Sequence, residues 1–485
     1  MAQQMLSAAL SQLDVPDENI TAFRQKDGVR VLLLQTSRVG GIAHVQIDVR
    51  TGDTDEGMPG AGKRECAHFL EHLVASRLFS RKFPDGSAKK WVEDNGIESN
   101  AYTSAVRTSH YMYGLAETLE TMIDIQIGAI SAFLDHLQHM VDLDIFAKEK
   151  QAVRRELQCK IDDPDYVMYE ALNATLFPND PRGISQRNDM EAVLTLSKDA
   201  VESFFRQFYV ANNMLIVIAG PFDADFALRI KNMLNGYDFL PGPKPIRLRP
   251  IIIFPYDKIR YITIPESHTV RVTFAWPFPV ARYNKDKASR RKVAAASAMT
   301  FMLTGGFTSR LLDRLRVKNG LVYSVSASSA LDETDDQIGF YEISTSVDRA
   351  KVTDLIRETF DALYLLVTDG PSEEEMQKYQ TSIKTLLYNR ILARHPSSWV
   401  EEYSNQALFA EDVDFADKTG ITRTAETFSS RLHIRSDEIK DVAKDIFYGS
   451  DKNMVFLYGA EKLSPQEQAA EDAAIQRALK DAMIK

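Results

Sequence analysis

Apolar and polar positions along the chain fall into a few recurring arrangements. Ala43-His44-Val45-Gln46-Ile47-Asp48-Val49 and Thr269-Val270-Arg271-Val272-Thr273-Phe274 alternate, whereas Met214 to Ala219 is apolar throughout. Alternation predicts a strand with one buried face, and a short unbroken run predicts a buried strand. Leu119 to Lys160 and Ser372 to Leu392 are long helical stretches, and Ser464 to Lys485 reads as a polar terminal helix. Long helices over a few strands predict an α+β fold rather than a regular βαβ alternation.

The pattern repeats. Phe205 to Gly220 and Lys444 to Gly459 share Phe-Tyr (Phe208-Tyr209, Phe447-Tyr448), then Asn-Met (Asn213-Met214, Asn453-Met454) one residue out of step, then Gly220 and Gly459. In both, a helix end leads through a polar turn into an apolar strand. The alternating runs near 43 and 269 echo each other in the same order. The chain therefore reads as two similar, duplicated α/β-sandwich domains, each an antiparallel-rich sheet packed with long helices. The richest Pro/Gly stretch, around Leu240-Pro241-Gly242-Pro243-Lys244-Pro245, predicts an extended linker. The expected boundaries are 1–236, a linker at 237–250, and 251–485.

Composition narrows the function. The 485 residues are 44% hydrophobic and 26% charged, which is an ordinary globular balance and excludes wholesale disorder. A formal charge of -10 disfavours nucleic-acid partners. Two cysteines exclude a disulfide scaffold. No apolar run approaches the ~18 residues of a membrane span, and Met1-Ala2-Gln3-Gln4 has no basic or long apolar leader. A soluble protein is expected. Its compartment stays open: cytoplasmic, or periplasmic if a leader has been removed.

The chemical signal is His68-Phe69-Leu70-Glu71-His72. On a helix His68 and His72 leave one face a turn apart, the geometry two nitrogen ligands need to reach one zinc ion. Glu71 leans toward the same face, where it can hold water and take its proton. Phe69 and Leu70 point away into the core. Chance gives roughly 0.01 His-x-x-Glu-His patterns in a chain of this length and composition, so incidental histidines are a poor account of it. A catalytic zinc ion wants a third protein ligand. Glu149 and Glu156 are seven residues apart, two turns of one helical stripe. Glu156 can be the third ligand and Glu149 an outer group steering a ligand or water. Taken alone, both acids read as a solvated face paired with Lys148, Lys150, Arg154 and Arg155.

An inverted His-x-x-Glu-His motif followed by Glu-x6-Glu resembles the M16 metallopeptidases, the pitrilysin and insulysin relatives that include mitochondrial processing peptidase. Gly96-Ile97-Glu98-Ser99-Asn100-Ala101-Tyr102-Thr103-Ser104 is similar to that family's substrate-binding edge strand. Gly305-Gly306-Phe307-Thr308-Ser309-Arg310 through Arg316 to Tyr323 is similar to its second-domain signature. The resemblance implies a zinc endopeptidase carrying one Zn2+ per chain, held by His68, His72 and Glu156, with Glu71 as general base. It implies substrate pairing along Ser99, Asn100, Ala101, Tyr102 and Thr103. Arg316 and Tyr323 would clamp and polarise a substrate carbonyl. The short two-domain form resembles the M16B-type peptidases and processing-peptidase subunits, which pair so that two bowls enclose a chamber. Peptides are then the substrate, and the partner is a second copy or another M16-like chain. Other readings are a non-catalytic structural subunit, or a catalytic subunit obligately paired with a different chain.

The chain departs from the family in two ways. Glu65-Cys66-Ala67 stands where the family usually has glycine shortly before the first histidine. The stretch from His72 to Glu156 is longer than usual, which leaves Glu149 as the alternative third ligand. His136 and His139 read as solvated surface, and Cys66 and Cys159 as a pair of buried, reduced thiols.

Overall fold

In chain order the elements are β1 (Ile20–Arg24), β2 (Arg30–Gln35), β3 (Ile42–Val49), α1 (Cys66–Arg77), α2 (Ala88–Asp94), β4 (Glu98–Thr103), β5 (Thr108–Leu115), α3 (Leu119–Ser131), α4 (Phe133–Asp142), α5 (Ile145–Asp162), α6 (Pro164–Leu176), α7 (Gln186–Thr195), α8 (Lys198–Phe208), β6 (Met214–Gly220) and α9 (Ala224–Leu234). Then follow β7 (Lys258–Thr263), β8 (Val270–Pro279), α10 (Lys287–Thr304), a π-helical segment (Leu312–Lys318), β9 (Val322–Ser329), β10 (Ile338–Val347), α11 (Val352–Asp369), α12 (Glu373–Leu387), α13 (Pro396–Phe409), α14 (Ser436–Tyr448), β11 (Val455–Ala460) and α15 (Pro465–Met483). The computed structural model describes residues 20–36, 41–56, 64–178, 181–184, 186–245, 258–265, 269–279, 287–329, 338–387, 396–409, 429–449 and 454–483.

Two units result, each with its own sheet. In the first the strand order is β1-β2-β6-β3-β5-β4; in the second it is β7-β11-β8-β10-β9. Apart from β1, the orders correspond strand for strand. One parallel pair lies in the same place in each, β2 with β6 and β7 with β11, and the remaining pairs are antiparallel. This is the expected duplication of an antiparallel-rich α+β unit. The repeated Phe-Tyr pairs close α8 and α14, and Gly220 and Gly459 lie at corresponding ends of β6 and β11. Asn453 lies outside the described residues. The alternating runs near 43 and 269 are β3 and β8, which occupy equivalent positions.

β6 explains its own unbroken apolar run. Met214, Ile216 and Ile218 join the main core of the first unit beneath α1 and α3, while Leu215, Val217 and Ala219 pack on Trp399, Val400, Tyr403, Ala407 and Leu408 of α13. Both faces of the strand are dry, so neither carries a polar residue. β3 instead buries Val45, Ile47 and Val49 on one side and turns His44, Gln46 and Asp48 toward α13. There Asp48, fully buried, accepts hydrogen bonds from Gln46, Ser109 and Ser404 and pairs with Arg107 Nε at 3.1 Å. Arg30 donates to the carbonyls of Ala407 and Leu408 at 2.8 and 2.9 Å, satisfying the end of α13. The first unit thus recruits α13 from late in the chain, and α6 packs within the second unit on β8 and β11 through Met168, Leu172 and Leu176.

The stretch Leu119–Lys160 divides into α3, α4 and α5, with breaks at Ala132 and at Asp144, whose φ is 57. Of the expected linker, 246–250 lies outside the described residues; Tyr237 and Phe239 are buried in the core of the first unit. The second core is aromatic, with Phe274 against Phe456 at 5.2 Å and Trp276 against Phe447 at 4.8 Å. Among the described residues no helix is long and apolar enough to cross a membrane. Two expectations need correction. Cys66 is buried but Cys159 is exposed, because it lies on the outer stripe of α5. His136 is half-buried rather than solvated, stacked on Phe79 with centroids 4.5 Å apart.

Candidate active site

The site grows from α1. Phe69, Leu70, Leu73 and Val74 are buried around most of its girth, so the helix is fixed by the core and only one stripe remains for polar work. Its N-terminus is held by Glu56, whose carboxylate accepts from the backbone N–H groups of Glu65 and Ala67, both at 2.8 Å. A carboxylate on these unpaired donors also complements the helix dipole. Arg64, just upstream, makes a two-point ion pair with Asp189 at 2.6 and 2.7 Å. Glu65, in the stretch that departs from the family's glycine, has φ 65, the left-handed region.

His68 and His72 leave α1 on the same face, ring centroids 4.9 Å apart. Each Nε2 lies 3.4 Å from the same atom, Glu156 Oε2. Each Nδ1 meets a different carboxylate: Glu65 Oε2 at 3.1 Å for His68, Glu149 Oε2 at 3.2 Å for His72. Helix α5 presents Glu149 and Glu156 together, as their two-turn spacing requires. Burial works against the charged imidazoles, but Glu156 and Glu65 outweigh it and bring His68 up to about 10; Glu149 and Glu156 bring His72 up to about 9. The cluster is built to hold positive charge. Two ligands at ~2.1 Å from one tetrahedral ion stand about 3.4 Å apart. The Nε2 and Oε2 atoms have this separation, and one ligating atom from each of His68, His72 and Glu156 lies within 4.8 Å of the others. Two imidazole nitrogens and one carboxylate are a donor set that fits a catalytic zinc ion.

Glu71 stands beside this set, buried, with Oε2 accepting from Thr103 Oγ1 at 2.8 Å. Burial raises its pKa against the lowering effect of the imidazoles and of Thr103. Thr103 belongs to β4, the edge strand of the sheet, against which α1 packs. Ser99, Asn100 and Tyr102 are exposed, and Ala101 and Thr103 are partly so. Tyr102 turns to the opposite face from Thr103, where the Arg107 guanidinium lies over its ring at 5.3 Å.

Arg316 and Tyr323 lie together in the second unit, outside this cluster. The π-helical segment turns Arg316 over the ring of Tyr323 at 4.5 Å and that of Phe307 at 5.0 Å. Tyr323, near the start of edge strand β9, is 80% exposed, and Phe307 is 67% exposed. The helix following β8, α10, carries no histidine, so the duplicated fold bears the motif once. Sequence reasoning missed Glu56, Glu65 and the hold of Thr103 on Glu71. An acid three residues before His68 on the same face was a readable signal for Glu65.

The insulinase (peptidase family M16) profile matches residues 31–189, and the peptidase M16 inactive-domain profile matches residues 195–383. The chain belongs to peptidase family M16. A relative called an uncharacterized zinc protease, from Mycobacterium leprae, is 25% identical over 356 residues, covering 70% of this chain and 72% of that protein. Another, from Helicobacter pylori and called a non-peptidase homolog, is 28% identical over 261 residues, 52% of this chain and 57% of that one. The crystal structure of the periplasmic protease PqqL from Escherichia coli matches with a TM-score of 0.69 at 16% identity, over 97% of this chain and 50% of that one. At that identity the match speaks for the M16 fold alone.

Proposed function

We propose that this M16 chain is a zinc-dependent endopeptidase acting on peptides or unfolded segments of polypeptide. The observation that carries the reading is the convergence of two Nε2 atoms on one oxygen of Glu156 with the carboxylate of Glu71 beside them. Held by His68, His72 and Glu156, zinc would supply Lewis acidity toward the scissile carbonyl and toward water. Glu71 takes the proton of the attacking water and delivers it to the departing amine. Its raised pKa suits both duties. Thr103 keeps the carboxylate aimed, and Glu149 keeps the His72 ring in register through Nδ1. A substrate in extended form adds as a further strand along Ser99, Asn100, Ala101, Tyr102 and Thr103, since β4 is an edge strand that pairs with β5 alone among the described strands. Main-chain pairing reads little sequence, so length and foldedness select the substrate. In the dimer described next, Arg316 and Tyr323 of the other chain supply donors to the substrate carbonyl.

The active form is a dimer, of two copies or of this chain with another M16-like chain, in the manner of M16B-type and processing peptidases. In fold, one copy of this chain corresponds to half of the PqqL polypeptide, the length that a pair of such chains would complete. Metal analysis of the purified, zinc-loaded chain together with a fluorogenic peptide assay tests the proposal. One zinc per chain and turnover abolished by a chelator are expected. Glu71→Gln keeps the zinc and loses at least about 10²-fold in kcat; a parent-like rate from that variant overturns the role of Glu71. A second reading, a non-catalytic M16 subunit, is favoured by the Helicobacter pylori relative's name. It wins if the loaded chain cleaves no member of a peptide library.

A further inference from the structure

Glu65 is a buried acid in a costly backbone conformation. At φ 65 a glycine would start α1 without the steric penalty of a Cβ. The residue is 3% exposed, so its side chain gains nothing from water. Helix capping does not explain it either, because no side-chain cap bond is made from this position and Glu56 supplies the carboxylate on the N-terminal N–H groups. What its carboxylate does reach is His68 Nδ1, at 3.1 Å.

We propose that Glu65 is a positioning residue for the metal centre. Its carboxylate accepts a hydrogen bond from the Nδ1–H of His68 and so fixes the tautomer in which the Nε2 lone pair faces Glu156. The inference rests on the zinc reading above and extends it from the ligands to what orients them. The two histidines then have the same arrangement, with Nε2 toward Glu156 and Nδ1 on a buried or half-buried carboxylate, Glu65 for one and Glu149 for the other. The left-handed start of the helix is what allows this. It turns the side chain of the N-cap residue back along the polar stripe, so an acid three residues before the ligand meets its ring. A carboxylate behind a ligating imidazole raises its basicity and holds its plane, and removal of such a partner typically costs 10–100-fold in metal affinity.

The test is zinc affinity, measured by competition with a chromophoric chelator, for the full-length parent, Glu65→Gly and Glu65→Gln. Glycine adopts φ 65 freely, so Glu65→Gly retains the helix start and its circular dichroism while losing the Nδ1 partner. Its zinc dissociation constant is expected to rise 10–100-fold. Glu65→Gln keeps an acceptor oxygen without the charge and is expected to fall between parent and Glu65→Gly. The Nδ1–H proton resonance of His68 in the zinc-loaded protein gives a readout independent of turnover: protected from exchange in the parent, lost in Glu65→Gly. Parent-like affinity in Glu65→Gly overturns the proposal, because a helix-start role alone predicts that result. If Glu65→Gly does not fold, parent-like affinity and an unchanged resonance in Glu65→Gln overturn it instead. A parent chain that binds no zinc overturns the metal reading itself, which separates the two failures.

Discussion

At the scale of single residues, four carboxylates surround two imidazoles, and their partners decide their duties. Glu156 faces both Nε2 atoms, Glu65 and Glu149 face the Nδ1 atoms, and Glu71 answers to a hydroxyl on a strand. Thr103→Val keeps the shape of the side chain and removes the donor. We expect zinc stoichiometry unchanged and kcat/KM lowered about 10-fold, the size of one lost hydrogen bond to a charged group; steady-state kinetics with metal analysis checks it. His110 offers a pH prediction away from the ligands. It is buried in β5, its Nε2 finds no partner among the described residues, and burial holds its pKa down to about 4 despite the nearby charge of Asp48. The folded protein therefore binds fewer protons than the unfolded chain between that value and about 6.5. Its contribution to stability is complete above pH 6.5 and fades as pH falls toward 4. His110→Phe should flatten that part of the profile, removing about 1 to 2 kcal/mol of the loss between pH 6.5 and 5. Urea midpoints at the two pH values measure it.

At the scale of elements, the sequence was most readable where one periodicity had one physical cause. Met214 to Ala219 is apolar at every position because both faces of β6 are covered, and His68, Glu71 and His72 share a helical face because 3.6 residues make a turn. What escaped was set by contacts across the chain. Nothing in the pattern of Pro396–Phe409 says that this helix covers the sheet of the first unit, because amphipathicity names a face and not the surface that receives it. Thr103 was legible as part of an edge strand but not as the partner of Glu71, and a backbone dihedral such as that of Glu65 leaves no trace in composition. The docking of α13 is testable. Arg30 is 1% exposed and donates to two carbonyls at the end of that helix. Arg30→Met keeps much of the stem and orphans both acceptors. A loss of about 2–4 kcal/mol is expected from two buried groups left unsatisfied, seen as a lower urea midpoint with proteolysis of the 396–409 segment enhanced first.

At the scale of the whole molecule, duplication gives each unit the same strand order, β1 apart, with an edge strand in the same place, β4 in one and β9 in the other. The side chains beside the two edges differ. The first edge stands beside the His68, His72 and Glu156 set; the second begins near Tyr323, with Arg316 held over its ring. In the dimeric enzyme proposed here, the metal set of one chain works with the Arg316 and Tyr323 of the other. That has a consequence no single-chain site shares. A Glu71→Gln chain lacks the base but keeps its Arg316 and Tyr323, and a Tyr323→Phe chain has the reverse defect. Each homodimer is impaired. In a mixed dimer one site carries both defects and the other carries neither. With random exchange half of the dimers are mixed, so about a quarter of the sites, and of the parent turnover, should return. The measurement is peptide cleavage by the equimolar mixture after subunit exchange has been verified by native mass spectrometry. A site assembled within one chain predicts no recovery at any mixing ratio, and that result would leave the zinc assignment standing while removing the shared site.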